Sequence, residues 1–367
     1  MNSNDAAYMI DNKKDIRSLE YYELEEKIRT LGEKKFRAAQ IYDWLHNKRS
    51  NSFDEMSNVP NQLKALLEDE YEIYGAKGVR VQESVLDGTR KYLYELNDGN
   101  LIESVFMRYE HGNSVCVSTQ VGCRMGCKFC ASTIGGLVRN LSAGEMLGQI
   151  YGIMEDTGER ISNVVTMGSG EPLDNYDELL KFIRMLTDER GINISGRNVT
   201  VSTCGIVEKI RELADEELTI TLALSLHACN DEKRRTLMPI AYRYPLTDVM
   251  DACRYYFDRT GRRLTFEYSL VKGVNDTDED AHSLARLLNG INCHVNLIPV
   301  NPISERNYVQ STKQAVFAFK NKLEKNHINV TIRREMGRDI DGACGQLRRR
   351  VIGEEKRSAD GTVKERI

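Results

Sequence analysis

Apolar residues recur along this chain with two different periods, and the change of period divides it. Through the first ninety residues the spacing is helical: Leu19 to Leu31, Phe36 to Leu45 and, after the turn residues around Pro60, Leu63 to Tyr71 place apolar side chains three and four apart. These runs predict a small helical accessory domain with charged outer faces, which with its linker occupies 1–90. From Val79 to Glu95 the alternation becomes two-residue, with Asp87-Gly88 suited to a hairpin turn. A further turn at Asn97 to Asn100 precedes an apolar run from Leu101 to Met107.

Beyond that point short apolar strands alternate with amphipathic stretches. Strands are predicted at Val115 to Thr119, Asn163 to Met167, Asn198 to Ser202, Thr219 to Ser225, Leu264 to Leu270 and His294 to Pro299. Helical patterns lie between them near 142–157, 174–187, 206–214, 246–259 and 277–289. This rhythm predicts an α/β core over 91–352 with a parallel sheet and right-handed crossovers, which on curling makes a partial barrel of six β/α units. The polar tail from Gly353 onward is predicted to be disordered.

Composition narrows the functional classes only a little. The chain has 367 residues, 41% hydrophobic and 29% charged, which suits one large core plus a small accessory domain. No apolar stretch is long enough to span a bilayer and the first residues are polar, so a cytoplasmic protein with no membrane partner is expected. A net charge of -4 argues against indiscriminate coating of nucleic acid. RNA binding stays open, because Lys34-Lys35-Phe36-Arg37, Arg262-Arg263, Arg333-Arg334 and Arg348-Arg349-Arg350 make a basic track if folding gathers them on one face. Taken singly, each is an ordinary solvated run.

The informative chemistry is V-G-C-R-M-G-C-K-F-C-A-S, in which Cys123, Cys127 and Cys130 have C-x-x-x-C-x-x-C spacing. A cubane iron-sulfur cluster normally takes four thiolates, so three from one tight loop leave an iron open to a ligand that is not protein. The amine and carboxylate of S-adenosylmethionine suit that iron, and reductive cleavage of its sulfonium yields a 5′-deoxyadenosyl radical. Structural zinc is the rival, but it wants four ligands in paired knuckles, and His111 lies upstream without knuckle spacing. Inert buried thiols are the other rival, while disulfides fit poorly in a chain without a secretion signal.

Other polar motifs follow predicted strands, at the end where parallel α/β folds collect ligands. In G-S-G-E-P-L from Gly168, the glycines including Gly170 allow close approach of a ligand, and Glu171 can accept from an ammonium group. The bland reading is a plain strand-to-helix turn. Ser202, Ser225 and Asn301 are short polar residues suited to a ribose or carboxylate, Leu226 and His227 complete S-L-H, and a histidine alone is more often structural.

The combination V-C-V-S-T-Q-V-G-C-x-x-x-C-x-F-C, G-x-G-E-P-L, S-L-H, L-M-P-I, G-V-N-D, N-L-I-P-x-N-P and D-I-D-G-A-C-G-Q-L resembles the RlmN/Cfr family of radical SAM RNA methyltransferases over nearly the whole chain. G-E-P-L and L-I-P-x-N-P resemble the RlmN branch, which methylates adenine C2, more than the Cfr branch, which methylates C8. Ser169 departs from the methionine many members carry, which puts local packing in question.

The resemblance implies a [4Fe-4S] cluster held by Cys123, Cys127 and Cys130, with S-adenosylmethionine at Gly170, Glu171, Ser202, Ser225, Leu226, His227 and Asn301. It implies that Cys344 carries a methyl group taken from one S-adenosylmethionine, that a second is cleaved to a radical, and that Cys116 resolves the RNA adduct through a transient disulfide with Cys344. Glu103 matches the family's proton acceptor, with Cys116 the alternative for the C2 proton. Cys204, Cys229, Cys253 and Cys293 are assigned to structure. The implied substrates are adenine 2503 of 23S rRNA and adenine 37 of certain tRNAs, with the helical domain and basic clusters holding RNA and the target base turned out of its stack. Flavodoxin or ferredoxin is the expected reductant and a monomer the expected state.

Overall fold

The computed structural model describes residues 13–300, 308–341 and 345–359. Its first unit runs from β1 (Lys14–Asp15) through α1 (Tyr21–Thr30), α2 (Phe36–His46) and α3 (Asn61–Glu68) to β2 (Tyr71–Glu72), which pairs in parallel with β1. The helical spacing read in the sequence becomes one buried stripe per helix, with Leu24 and Ile28, Ile41 and Leu45, and Leu63 and Leu67 closing on Ile16 and Tyr71. A capping box between Glu20 and Glu23 starts α1.

The remaining strands form one ten-stranded sheet and a small pair. The antiparallel edge is β3 (Lys77–Glu83), β4 (Arg90–Glu95) and β5 (Leu101–Met107), which joins β6 (Ser114–Cys116). The hairpin expected across Asp87-Gly88 is present, but it belongs to this sheet, so the core begins before the boundary expected at residue 90. The small pair, β7 (Gln120–Gly122) with β8 (Leu137–Asn140), brackets the cysteine loop.

After α4 (Ala143–Thr157) come β9 (Asn163–Thr166), α5 (Tyr176–Thr187), β10 (Val199–Thr203), α6 (Val207–Asp215) and β11 (Thr221–Ser225). Then α7 (Asp231–Leu237), α8 (Leu246–Thr260), β12 (Leu264–Leu270), α9 (Asp278–Leu288) and β13 (Cys293–Pro299) complete the expected rhythm. One further unit follows, α10 (Lys313–Lys325) and β14 (Asn329–Ile332), and β14 adds to β13 in parallel. Residues from β5 around to β13 line a single cavity, so the sheet curls into the predicted partial barrel.

The main core lies between the sheet and its outer helices, where Val164, Val201, Leu222, Phe266 and Val295 of successive strands are fully buried. The helical unit is fastened to α4: Ser18 Oγ bonds Ser142 Oγ at 3.0 Å and accepts from the Gly144 N–H at 3.0 Å, and His46 Nδ1 meets the Tyr151 hydroxyl at 2.8 Å. The first residues past Gly353 differ from expectation, because α11 (Gln346–Ala359) continues into them as far as Ala359. Its charges assist, with Arg350 3.9 Å from Glu354 one turn on.

Candidate functional site

The cysteine loop is held open by close backbone contacts on both flanks. Gly122 has φ +79, and the Cβ of any other residue there would lie 2.1 Å from the Gly136 carbonyl oxygen. That same oxygen accepts the Cys123 N–H at 3.0 Å. The glycines of G-S-G-E serve the protein as much as any ligand: a Cβ on Gly168 would meet Val117 O at 2.6 Å, and one on Gly170 would meet Gln120 N at 2.8 Å. The turn after β9 therefore stacks directly on the strand leading into the cysteines. Ser169, the departure from the family pattern, is 2% exposed, with its Oγ 3.0 Å from Ser132 Oγ just beyond Cys130.

Cys123, Cys127 and Cys130 line a cavity of about 570 Å³ at the C-terminal ends of the parallel strands. The same wall carries Cys116, Gly170, Glu171, Ser202, Ser225 and His227, so most residues predicted from scattered motifs meet in one place. Burial pushes the Cys123 thiol up to about 12 and raises Cys127 as well. Among the described residues no three His, Cys, Asp or Glu side chains converge on a single ion. A cubane asks for something else, one thiolate on each of three irons. Three thiols from one loop facing a roomy cavity fit that demand, whereas His111, the candidate fourth zinc ligand, is exposed and does not line the cavity, stacking instead on the wall residue Tyr109.

Glu171 is 4% exposed, with Oε2 accepting the Cys204 N–H at 2.8 Å and Oε1 accepting the Leu173 N–H at 3.2 Å. Burial raises its pKa and these donors oppose the rise. His227 adopts φ +56, and its Nδ1 accepts the Ser269 N–H at 2.9 Å, which leaves Nε2 as the donor of a neutral ring. Burial holds its pKa down to about 3. Its ring stands edge-on to Phe129 with centroids 4.7 Å apart, joining the cysteine loop to the far strands.

Some expected residues are placed elsewhere. Leu226 is buried in the main core and does not reach the cavity wall; its N–H donates to the Glu267 carbonyl and its carbonyl accepts from Arg234. A side chain following the last residue of a strand turns to the opposite face, which is why S-L-H delivers its first and third members and not its second. Glu103 is also absent from the wall, and is held by Lys91 and the start of α11. Asn301 and Cys344 lie outside the described residues. Of the basic clusters, Arg333 and Arg334 stand at the cavity, while Arg262 precedes β12 at the opposite end of the strands and is occupied by the Ile220 carbonyl.

Two wall residues escaped the sequence reading. Cys204, assigned to structure, lines the cavity and hydrogen bonds with Glu171. Glu267, in the middle of β12, is 4% exposed with Oε1 held by Asn296 Nδ2 at 2.8 Å, and among the described residues its Oε2 has no hydrogen-bond partner. A lone carboxylate in the otherwise apolar run L-T-F-E-Y-S-L was the available signal.

Residues 117–286 match the radical SAM superfamily and residues 14–73 match the ribosomal RNA large subunit methyltransferase N-terminal domain. A Lachnospira eligens protein described as a probable dual-specificity RNA methyltransferase RlmN is 64% identical over 338 residues, 92% of this chain and 97% of that one. The chain belongs to the RlmN family. A Clostridium perfringens member with the same description is 56% identical over 330 residues, 90% of this chain and 95% of that one. A solved radical SAM methyltransferase from Sphaerobacter thermophilus superposes with a TM-score of 0.86 at 41% identity, covering 91% of this chain and 98% of that one. Membership of the radical SAM superfamily implies an iron-sulfur cluster and S-adenosylmethionine, and the cavity's donor set fits both. Among the described residues no helix is long and apolar enough to cross a membrane.

Proposed function

We propose that this chain is a dual-specificity RNA methyltransferase that places a methyl group on C2 of adenine 2503 in 23S rRNA and of adenine 37 in tRNA. The observation that carries the reading is the meeting of Cys116, the three loop cysteines and Glu171 on one cavity wall, in a chain 64% identical to a protein described as an RlmN methyltransferase. When bound, a three-thiolate [4Fe-4S] cluster with S-adenosylmethionine supplies a carbon radical.

The chain's own residues supply position. Cys123, Cys127 and Cys130 would hold the cluster, and Glu171, its carboxylate already fixed by two backbone donors, would accept from the ammonium group of S-adenosylmethionine. Ser202 and Ser225, which line the cavity, would bind the ribose or carboxylate of S-adenosylmethionine, and the family resemblance assigns the same role to Asn301. His227 offers its Nε2 proton while holding Phe129 over the loop. Cys344 would carry the one-carbon unit to the base, and the Cys116 thiolate, 4% exposed in the wall, would attack the Cys344 sulfur of that adduct, so that the sulfur–carbon bond breaks, the released carbon takes a proton to become the methyl group, and a Cys116–Cys344 disulfide is left. Arg333 and Arg334 at the cavity face RNA phosphates, with the helical unit contributing further contact. The enzyme works in the cytoplasm as a monomer, with flavodoxin or ferredoxin as the electron source.

The test is Cys344→Ala, with S-adenosylmethionine cleavage and RNA methylation followed together in the anaerobically reconstituted protein. Methylation is expected to vanish while cleavage persists, and unaffected methylation would refute the carrier role. Mass spectrometry of RNA from cells with and without the gene should find 2-methyladenosine; 8-methyladenosine alone would overturn the regiochemistry.

A further inference from the structure

We propose that Lys91 and Glu103 are positioning residues that tie down both ends of the segment bearing residue 344. The proposal rests on the carrier role of Cys344 given above.

The sheet register puts the pair beside the resolving cysteine. Lys91 on β4 lies opposite Val105 on β5, and Val105 lies opposite Cys116 on β6. Glu103 is two residues from Val105 and so shares its face. The side chains of Lys91 and Glu103 are 0% and 4% exposed, with Lys91 Nζ 3.0 Å from Glu103 Oε2. Two charges taken this far from water are destabilising unless each finds further partners.

Those partners are the flanks of the carrier segment. Lys91 Nζ donates to the Asp341 carbonyl at 2.6 Å. Glu103 Oε2 accepts the Gly345 N–H at 2.6 Å, and Oε1 accepts the Arg348 N–H at 2.5 Å. Asp341 and Gly345, the described residues on either side of 342–344, thus end on one ion pair. The Gly345 and Arg348 amides belong to the start of α11, where backbone donors lack helical acceptors and the dipole favours an anion. Glu103 therefore caps α11 from another strand. Gly345 adds a third constraint: with φ +81, a Cβ there would lie 2.8 Å from Ser132 N, two residues past Cys130. The carrier's flank is pressed against the cluster loop on one side and clamped by the ion pair on the other.

Both Glu103 oxygens are already accepting, and the residue stands off the cavity wall. With three donors on it, the carboxylate is committed to the ion pair and to the start of α11.

The experiment uses full-length protein, reconstituted anaerobically, as Lys91→Met and as the double variant Lys91→Met with Glu103→Gln. The double variant removes both charges and so covers the case in which an unpaired Glu103 prevents folding. Four readouts are taken: iron content, S-methylation of residue 344 by peptide mass spectrometry, 5′-deoxyadenosine release, and 2-methyladenosine formed per 5′-deoxyadenosine. A displacement of about 1 Å in a reacting group costs on the order of 100-fold in rate, so that last ratio should fall by this factor while iron content and 5′-deoxyadenosine release persist. Amide exchange at 345–348 should quicken. A general loss of structure would lower cleavage and methylation together and leave their ratio unchanged, and that result overturns the proposal. If Cys344→Ala still methylates RNA, the proposed function itself fails; if that variant is inactive and Lys91→Met keeps its ratio, only the present inference fails.

Discussion

Replacing Gly122 with alanine tests whether the cysteine loop depends on backbone contact. The new Cβ would sit 2.1 Å from the Gly136 oxygen, and real Cβ atoms do not come within 3.0 Å, so β7 and β8 must part by about 1 Å. Two costs follow. A left-handed backbone costs an L-residue about 1–2 kcal/mol, and parting the strands strips the Cys123 N–H of its acceptor at about 1–3 kcal/mol. The sum, about 2–5 kcal/mol, lies below the 5–15 kcal/mol that typically holds a domain together, so the chain folds with a displaced Cys123. Gly136→Ala is the control, since it has φ +72 with nothing within 4 Å of the added atom, and pays only the backbone penalty of about 1–2 kcal/mol. Both variants are reconstituted anaerobically, iron and sulfide are counted per chain, and stability is read by urea denaturation. Gly136→Ala should fill like the parent, and Gly122→Ala should lose most of its iron. Equal filling of the two, with equal loss of stability, would refute the argument.

Cys204→Ala should leave iron content unchanged, because its thiol is committed to Glu171; a drop in iron would make it a fourth ligand and close the open corner on which the radical chemistry depends. Glu267→Gln keeps an acceptor for Asn296 and loses the partnerless one, so S-adenosylhomocysteine should bind about 10- to 100-fold more weakly by calorimetry, while an unchanged Kd would show that Oε2 meets no ligand. Burial first, then Arg17, hold His46 down to about 3 from its usual 6.5. Below pH 6.5 the unfolded chain takes up a proton that the folded one refuses, so stability is full above that pH and falls by about 1.4 kcal/mol per unit below it. Urea denaturation between pH 5 and 7.5 should show this slope, and His46→Gln should flatten it by one proton; an unaltered slope counts against a neutral buried ring.

The parallel core was legible because each strand is a short apolar run bounded by turn residues, and predicted and observed limits differ by at most three residues, as at Val115 to Thr119 against Ser114–Cys116. The strand-end motifs were legible for the same reason, since a β/α rhythm fixes where loops must gather. What pairs with what across long distances was not. The joining of β3, β4 and β5 to the barrel sheet depends on β5 meeting β6, a contact with no local pattern. Glu103 was singled out only by resemblance, and its partner Lys91 carries no local signal, since the fold alone buries the two together. The glycines of G-S-G-E signalled close approach correctly, but the sequence cannot say that the near neighbour is the protein's own backbone. Helix α11 was hidden by its polarity, because what fixes its start is a carboxylate on a distant strand.

The stacking of Gly122, Gly168 and Gly170 on neighbouring backbone has a bearing on how this region can vary. Each lies against the protein's own chain, so a side chain at any of the three would disturb the loop whether or not a ligand is bound.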